Sequence, residues 1–191
     1  MQNQRNQKNY RRLLRAMSRP GYSVRLETAT EVSPLAEALA VGRCLLDHEV
    51  SLCVVGRSDT RAFQAALIAA TQVRSESLDR ADFVFVLGRE SLGGAGRAKR
   101  GSPESPEEGA TLVYLLDGDD ATADRGFSIR LSGPGIAERE GISPAIDAIS
   151  REEYEELIKT NADYPLGVDL LVVRAGGELI GIPRSTRIVM R

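Results

Sequence analysis

Asp169 and the run Pro183, Arg184, Ser185, Thr186 are the residues of this chain best placed by type and spacing to do chemistry. The acid stands just before the apolar run Leu170 to Val173. The cation and two hydroxyls follow a second apolar segment, reached through a turn at Arg174 to Gly177. A sheet fixes the backbone at a strand end while the loop beyond exposes side chains, so α/β proteins commonly place binding groups there. Arginine can fork onto carboxylates or phosphates through its planar guanidinium, and Arg184 is placed to do so. It could also close an ion pair with an acid such as Asp169, and spacing alone favours this plainer reading of a stabilising hairpin with a polar tip.

A second candidate is the loop Ser132, Gly133, Pro134, Gly135. Two glycines around a proline keep side chains clear and leave Ser132 and the amides of Gly133, Gly135 and Ile136 near an open surface, an arrangement that can hold an anion. A tight turn needs the same glycines for its backbone angles alone. Other chemistries lack parts. The segment GRESLGGAGRAKRGS, directly after the strand ending at Leu87, has Arg100 after Lys99 where a phosphate loop needs Ser or Thr, and no third glycine of a dinucleotide fingerprint. It reads as a solvated basic loop. His48, with Cys44 and Cys53, matches no standard zinc spacing, and the turn Asp117 to Asp120 lacks the ligands of a calcium loop. No nucleophile elbow is present, and no metal is expected.

Helices and strands must position these residues. Tyr10, Leu13, Leu14 and Met17 form an apolar stripe with Arg11, Arg12 and Arg15 facing away. Ser33 and Pro34 start a second helix whose stripe is Leu35, Ala38, Leu39, Gly42, Leu45 and Leu46. A third begins near Asp59 with Phe63, Ala66, Leu67 and Ala70 on one face. The last opens at a capping box, Ser150 with Glu153, and buries Tyr154, Leu157 and Ile158. Continuous apolar runs at Leu52 to Val55, Phe83 to Leu87, Leu112 to Leu116 and Leu170 to Val173 read as strands covered on both faces. Phe127, Ile129 and Leu131 alternate with polar residues, giving a strand with one solvated face. The later strands are joined by turns, at Asp117 to Arg125 and Arg174 to Gly177. The expected fold is α/β, a layered domain with a mixed sheet flanked by helices. The segment Gly88 to Gly109 is too long for a structureless connection and should hold a short helix or stay mobile.

With 191 residues, one domain spanning 1–191 is expected. A net charge of −2 and a pI near 5.6 give no global positive field to attract nucleic acid. The polar start MQNQRNQKNYRRL has no apolar core of a secretory signal, and no run is long enough to span a membrane. Two cysteines fit reduced, buried thiols. A cytoplasmic protein is expected.

Taken together, YPLGVDLLVVRAGGELIGIPRST (Tyr164 to Thr186), RLSGPGIAE (Arg130 to Glu138), YRRLLRAMSRPG (Tyr10 to Gly21), LLDHE (Leu45 to Glu49) and EGATL (Glu108 to Leu112) resemble the PhnH family of the phosphonate carbon–phosphorus lyase system. The resemblance covers nearly the whole chain; Gly56 to Arg100 matches in pattern rather than in residues. It implies a fold similar to the large domain of pyridoxal-phosphate-dependent transferases but no such cofactor, in keeping with three lysines (Lys8, Lys99, Lys159) that lie on none of these motifs. It implies a homodimer that joins subunits G, I and J, with K and L as further partners. With G, I and L it would support displacement of adenine from a nucleoside triphosphate by an alkylphosphonate, giving a ribose 1-phosphonate 5-triphosphate, with the glycosyl transfer assigned to the I component. The chain itself would be an accessory subunit. Candidate phosphate, phosphonate or partner contacts carried over are Arg19, Gly133, Gly135, Asp169, Arg184 and Thr186, with Pro20, Gly21 and Pro183 beside them. A free-standing enzyme or binding protein for a phosphorylated sugar or nucleotide is the alternative.

Overall fold

The structure, a computed structural model, describes residues 2–28, 33–56, 59–116, 127–137, 141–144 and 149–191. The chain begins with helix α1 (Gln2–Ser18), strand β1 (Ser23–Arg25), α2 (Pro34–Leu45), β2 (Ser51–Gly56) and α3 (Thr60–Thr71). It continues through β3 (Arg74–Ser75), β4 (Phe83–Leu87), the short α4 (Gly94–Arg97), β5 (Thr111–Leu116) and β6 (Ile129–Ser132). It closes with α5 (Arg151–Thr160), β7 (Asp169–Arg174), β8 (Glu178–Ile182) and β9 (Arg187–Met190). Seven strands form one sheet in the order β1-β8-β7-β5-β4-β2-β3. The run from β7 to β3 is parallel, and β8 and β1 add antiparallel at one edge, so the sheet is mixed as expected.

Period-two alternation sends each strand's side chains to two separate cores. Val84, Val86, Leu112, Tyr114, Leu170 and Val172 face α4 and α5. Phe85, Leu87, Val113, Leu115, Leu171 and Val173 face α1, α2 and α3. Both faces are covered, which is why these strands read as unbroken apolar runs. The alternating segment at Phe127 to Leu131 lies outside the large sheet. Its strand β6 pairs antiparallel with β9, and that small two-stranded sheet packs on the core containing α5.

Helix caps follow the expected chemistry. Ser33 Oγ accepts from the amide of Ala36, Asp59 Oδ1 from Ala62, and Ser150 Oγ from Glu153. The buried face of α1 differs from the apolar stripe. Leu13 and Ala16 are buried along with Asn9, whereas Tyr10 is 45% and Leu14 53% exposed. Two contacts rotate the helix to this face. Asn9 exchanges hydrogen bonds with the backbone of Glu27, and Ala16 lies against Gly181, where a Cβ would come within 2.8 Å of the Ala16 carbonyl carbon. The segment from Gly88 to Gly109 does contain short helical turns, α4 and a 3-10 turn at Pro106–Glu108. The acidic turn at 117–120 and the connection at 117–125 lie outside the described residues.

A candidate binding groove beside an Arg184 clamp

Register brings the sequence's two best candidates together. Leu170 of β7 is paired with Ile182 of β8, so Asp169 and the residues after Ile182 meet at one end of the hairpin. Asp169 Oδ1 accepts from the Arg184 amide at 2.8 Å. Its Oδ2 accepts from Arg184 Nε at 3.2 Å and Nη2 at 2.6 Å. The guanidinium also donates to the carbonyls of Pro106 (2.6 Å) and Gly109 (3.1 Å). Of the two roles open to Arg184, the ion pair with Asp169 is the one formed, and most of the fork is turned inward.

Gly109, inside the EGATL segment, is the partner that spacing does not reveal. A Cβ there would collide with Arg184 Nη1 and the Gly167 carbonyl, so the guanidinium can lie flat only against a glycine. The signal is a glycine directly before a strand, but nothing local ties it to a residue 75 positions later.

The remaining candidates fall on one seam. Gly133 packs against the Ser185 to Arg187 backbone, its missing Cβ 3.1 Å from the Ser185 carbonyl. Gly135, two residues on, has φ +83° and sits against the Ser18 carbonyl and Pro20 at the end of α1. There Arg19, Tyr22, Gly135, Ile136 and Ala137 line an open groove of about 530 Å³. Arg19 and Gly135 are therefore brought together, as are Gly133 and Thr186. The Ile136 amide donates to the Gly133 carbonyl and closes the turn, so it does not point at an open surface.

A second groove, of about 490 Å³, runs between α5 and β9. Tyr164, Arg184, Ser185, Thr186 and Arg187 form its polar end, and Leu157, Ile158 and Ile188 its apolar wall. Tyr164 is 64% exposed at its rim. Thr186, a carried-over candidate, is buried in this lining. Sequence reasoning missed Arg187, although it directly follows the Arg-Ser-Thr run.

Each of the three lysines has a carboxylate partner. Lys8 meets Glu27 at 3.6 Å, Lys159 meets Glu156 at 3.1 Å, and Lys99 binds Asp82, which also accepts from the Ser51 hydroxyl and amide. Burial pushes the Asp82 carboxyl up, but the bonds from Lys99 and Ser51 outweigh it and hold it below the usual aspartate value. Burial also raises the Cys44 thiol to about 11, and raises Cys53, so neither is poised as a thiolate. Both are free, half-buried thiols. Among the described residues no group of three or more His, Cys, Asp or Glu side chains could hold a metal, and no helix is long and apolar enough to cross a membrane.

Glu153 is the other site that sequence reasoning missed. It does not return to the Ser150 amide as a capping box would. It is buried and accepts instead from the Ser91 amide (2.7 Å), the Ser91 hydroxyl (2.8 Å) and the Tyr114 hydroxyl. Burial first, then the adjoining carboxylate, pushes the Tyr114 phenol well above its usual value.

Comparison with known proteins agrees with this arrangement of motifs. The family profile described as "Bacterial phosphonate metabolism protein (PhnH)" matches residues 1–189. The chain is 32% identical over 187 residues to the C-P lyase subunit protein HtxG of Stutzerimonas stutzeri, a subunit assignment that is provisional in that protein's own name. The match covers 98% of this chain and 87% of HtxG. The protein belongs to the PhnH family of bacterial phosphonate metabolism proteins.

Proposed function

We propose that the protein is an accessory subunit of the carbon–phosphorus lyase system. In this reading it is a single cytoplasmic domain that pairs with itself and docks with subunits G, I and J, with K and L as further partners. It supports the step in which an alkylphosphonate displaces adenine from a nucleoside triphosphate, while another component performs the glycosyl transfer. A chain path like that of the large domain of pyridoxal-phosphate-dependent transferases, used without that cofactor, belongs to the same proposal.

The observation that carries the reading is the family match, which runs over residues 1–189 rather than over one motif. The geometry adds support. Arg184 is the side chain first in line for chemistry, yet it is bound to Asp169 and two backbone carbonyls. Each lysine is held by a carboxylate of the same chain. Such groups hold a surface in shape rather than attack a substrate.

Co-purification tests the proposal. When the chain is expressed with tagged G, I and J subunits, it is expected to elute with them from affinity and size-exclusion columns in fixed proportion. Elution apart from them would overturn the reading. Turnover of ATP with methylphosphonate by the isolated chain would favour the free-standing enzyme instead.

A further inference from the structure

The groove between α5 and β9 has an unusual polar end. Thr186 is 5% exposed, and its Oγ1 has no hydrogen-bond partner. A buried hydroxyl without a partner is a liability that folding alone does not reward, so its retention needs an explanation. Ser185 beside it makes no side-chain hydrogen bond, and Arg187 makes no ion pair, among the described residues. No carboxylate lines the groove among those residues. Ser185, Thr186 and Arg187 therefore line a space that lacks negative charge, with the Thr186 hydroxyl buried at its wall. The opposite wall is apolar, with Ile158 on α5 and Ile188 on β9, and Tyr164 stands exposed at the rim.

We propose that this groove binds an organic tetrahedral oxyanion, a phosphonate or a phosphate monoester. Its oxygens accept hydrogen bonds from Thr186 Oγ1 and Ser185 Oγ and a charge-assisted bond from Arg187. The organic substituent lies on Ile158 and Ile188 beneath the Tyr164 ring, as small-molecule sites combine an apolar lining with a few converging polar groups. Arg184, clamped to Asp169 behind these residues, holds the Ser185 to Arg187 backbone in place rather than contacting the anion. The expectation that a phosphonate outcompetes a phosphate ester rests on the accessory-subunit reading; the anion site itself rests on the groove.

The test is calorimetric titration of the isolated full chain with phenylphosphonate, phenyl phosphate and benzoate. The two tetrahedral anions are expected to bind, and benzoate to bind more weakly. The stronger of the two tetrahedral anions identifies the source of the ligand. Thr186→Val and Arg187→Gln should each weaken binding by about tenfold, the usual worth of one hydrogen bond to a charged group. Arg187 is exposed, so its variant should fold even if a buried one does not. Without ligand, Thr186→Val should melt at or above the wild-type temperature, because it removes an unpartnered buried hydroxyl. No measurable binding of either tetrahedral anion at millimolar concentration, or unaltered affinity in both variants, would overturn the proposal. A lower melting temperature for ligand-free Thr186→Val would also overturn it, since the hydroxyl would then have an internal partner. The titration uses no companion subunit, so its failure would leave co-elution untouched, and failed co-elution would leave the titration standing.

Discussion

Arg184 has 12% of its side chain exposed and donates to one carboxylate and two carbonyls. Removing it leaves Asp169 charged and half-buried with no counter-ion, and strips the Pro106 and Gly109 carbonyls of a donor. Arg184→Met should therefore lower unfolding stability by about 3 kcal/mol, the scale for breaking a buried pair from one side. In a chain of this length that is a fall in Tm of roughly 6–12 °C by differential scanning fluorimetry. An unchanged Tm would mean that the clamp carries no structural weight. Asp82 allows a pH test. Its folded carboxyl titrates below its unfolded value because Lys99 and Ser51 donate to it despite the cost of burial. A depressed carboxylate contributes fully above the unfolded value, about pH 4, and loses that contribution as pH falls through the lower folded value. Urea unfolding should show stability declining below about pH 4, with a shallower decline in Asp82→Asn. An identical slope in the variant would assign the acid sensitivity to other groups.

Glu153 ties three elements together: α5 carries it, β5 supplies Tyr114, and Ser91 before α4 supplies an amide and a hydroxyl. Ser91 Oγ in turn accepts from the Ala95 amide at 2.9 Å and so fixes the start of α4. Glu153→Gln brings N–H donors among donors, and should cost about 1–3 kcal/mol and speed hydrogen exchange at the Ser91 to Ala95 amides. Unchanged exchange there would show that α4 is held by packing alone. The same region shows what a sequence can and cannot reveal. The four central strands are legible because burial on both faces leaves no polar position, and the caps are legible because a cap acts within three residues. The partner of Glu153 is not legible, because Ser91 lies 62 positions away. The buried face of α1 departs from its apolar stripe for a related reason. Asn9 and Ala16 are chosen by the backbone of Glu27 and Gly181, not by hydropathy. In the candidate site, Asp169 and Arg184 can be paired from the hairpin's own spacing. Gly109 and the seam joining Gly133 to Thr186 require tertiary approach.

Across the whole molecule, the motifs that are scattered in sequence form one continuous strip. The Arg19 to Gly21 turn ends α1 against Gly135, Gly133 leans on Ser185 and Thr186, and Arg184 closes on Asp169 and Gly109. Arg184 and Asp169 satisfy each other at one end of this strip, and the glycines let its backbones meet closely along the rest. Tyr10 and Leu14, left exposed on α1, are large apolar groups of the kind that anchor protein contacts. The most direct measurement is adenine release from ATP and methylphosphonate, followed by chromatography, with the chain alone, with its companion subunits alone, and with all of them together. Release is predicted in the complete mixture, with little or none from the companions alone and none from the chain alone. Adenine formed by the purified chain without companions would contradict the account.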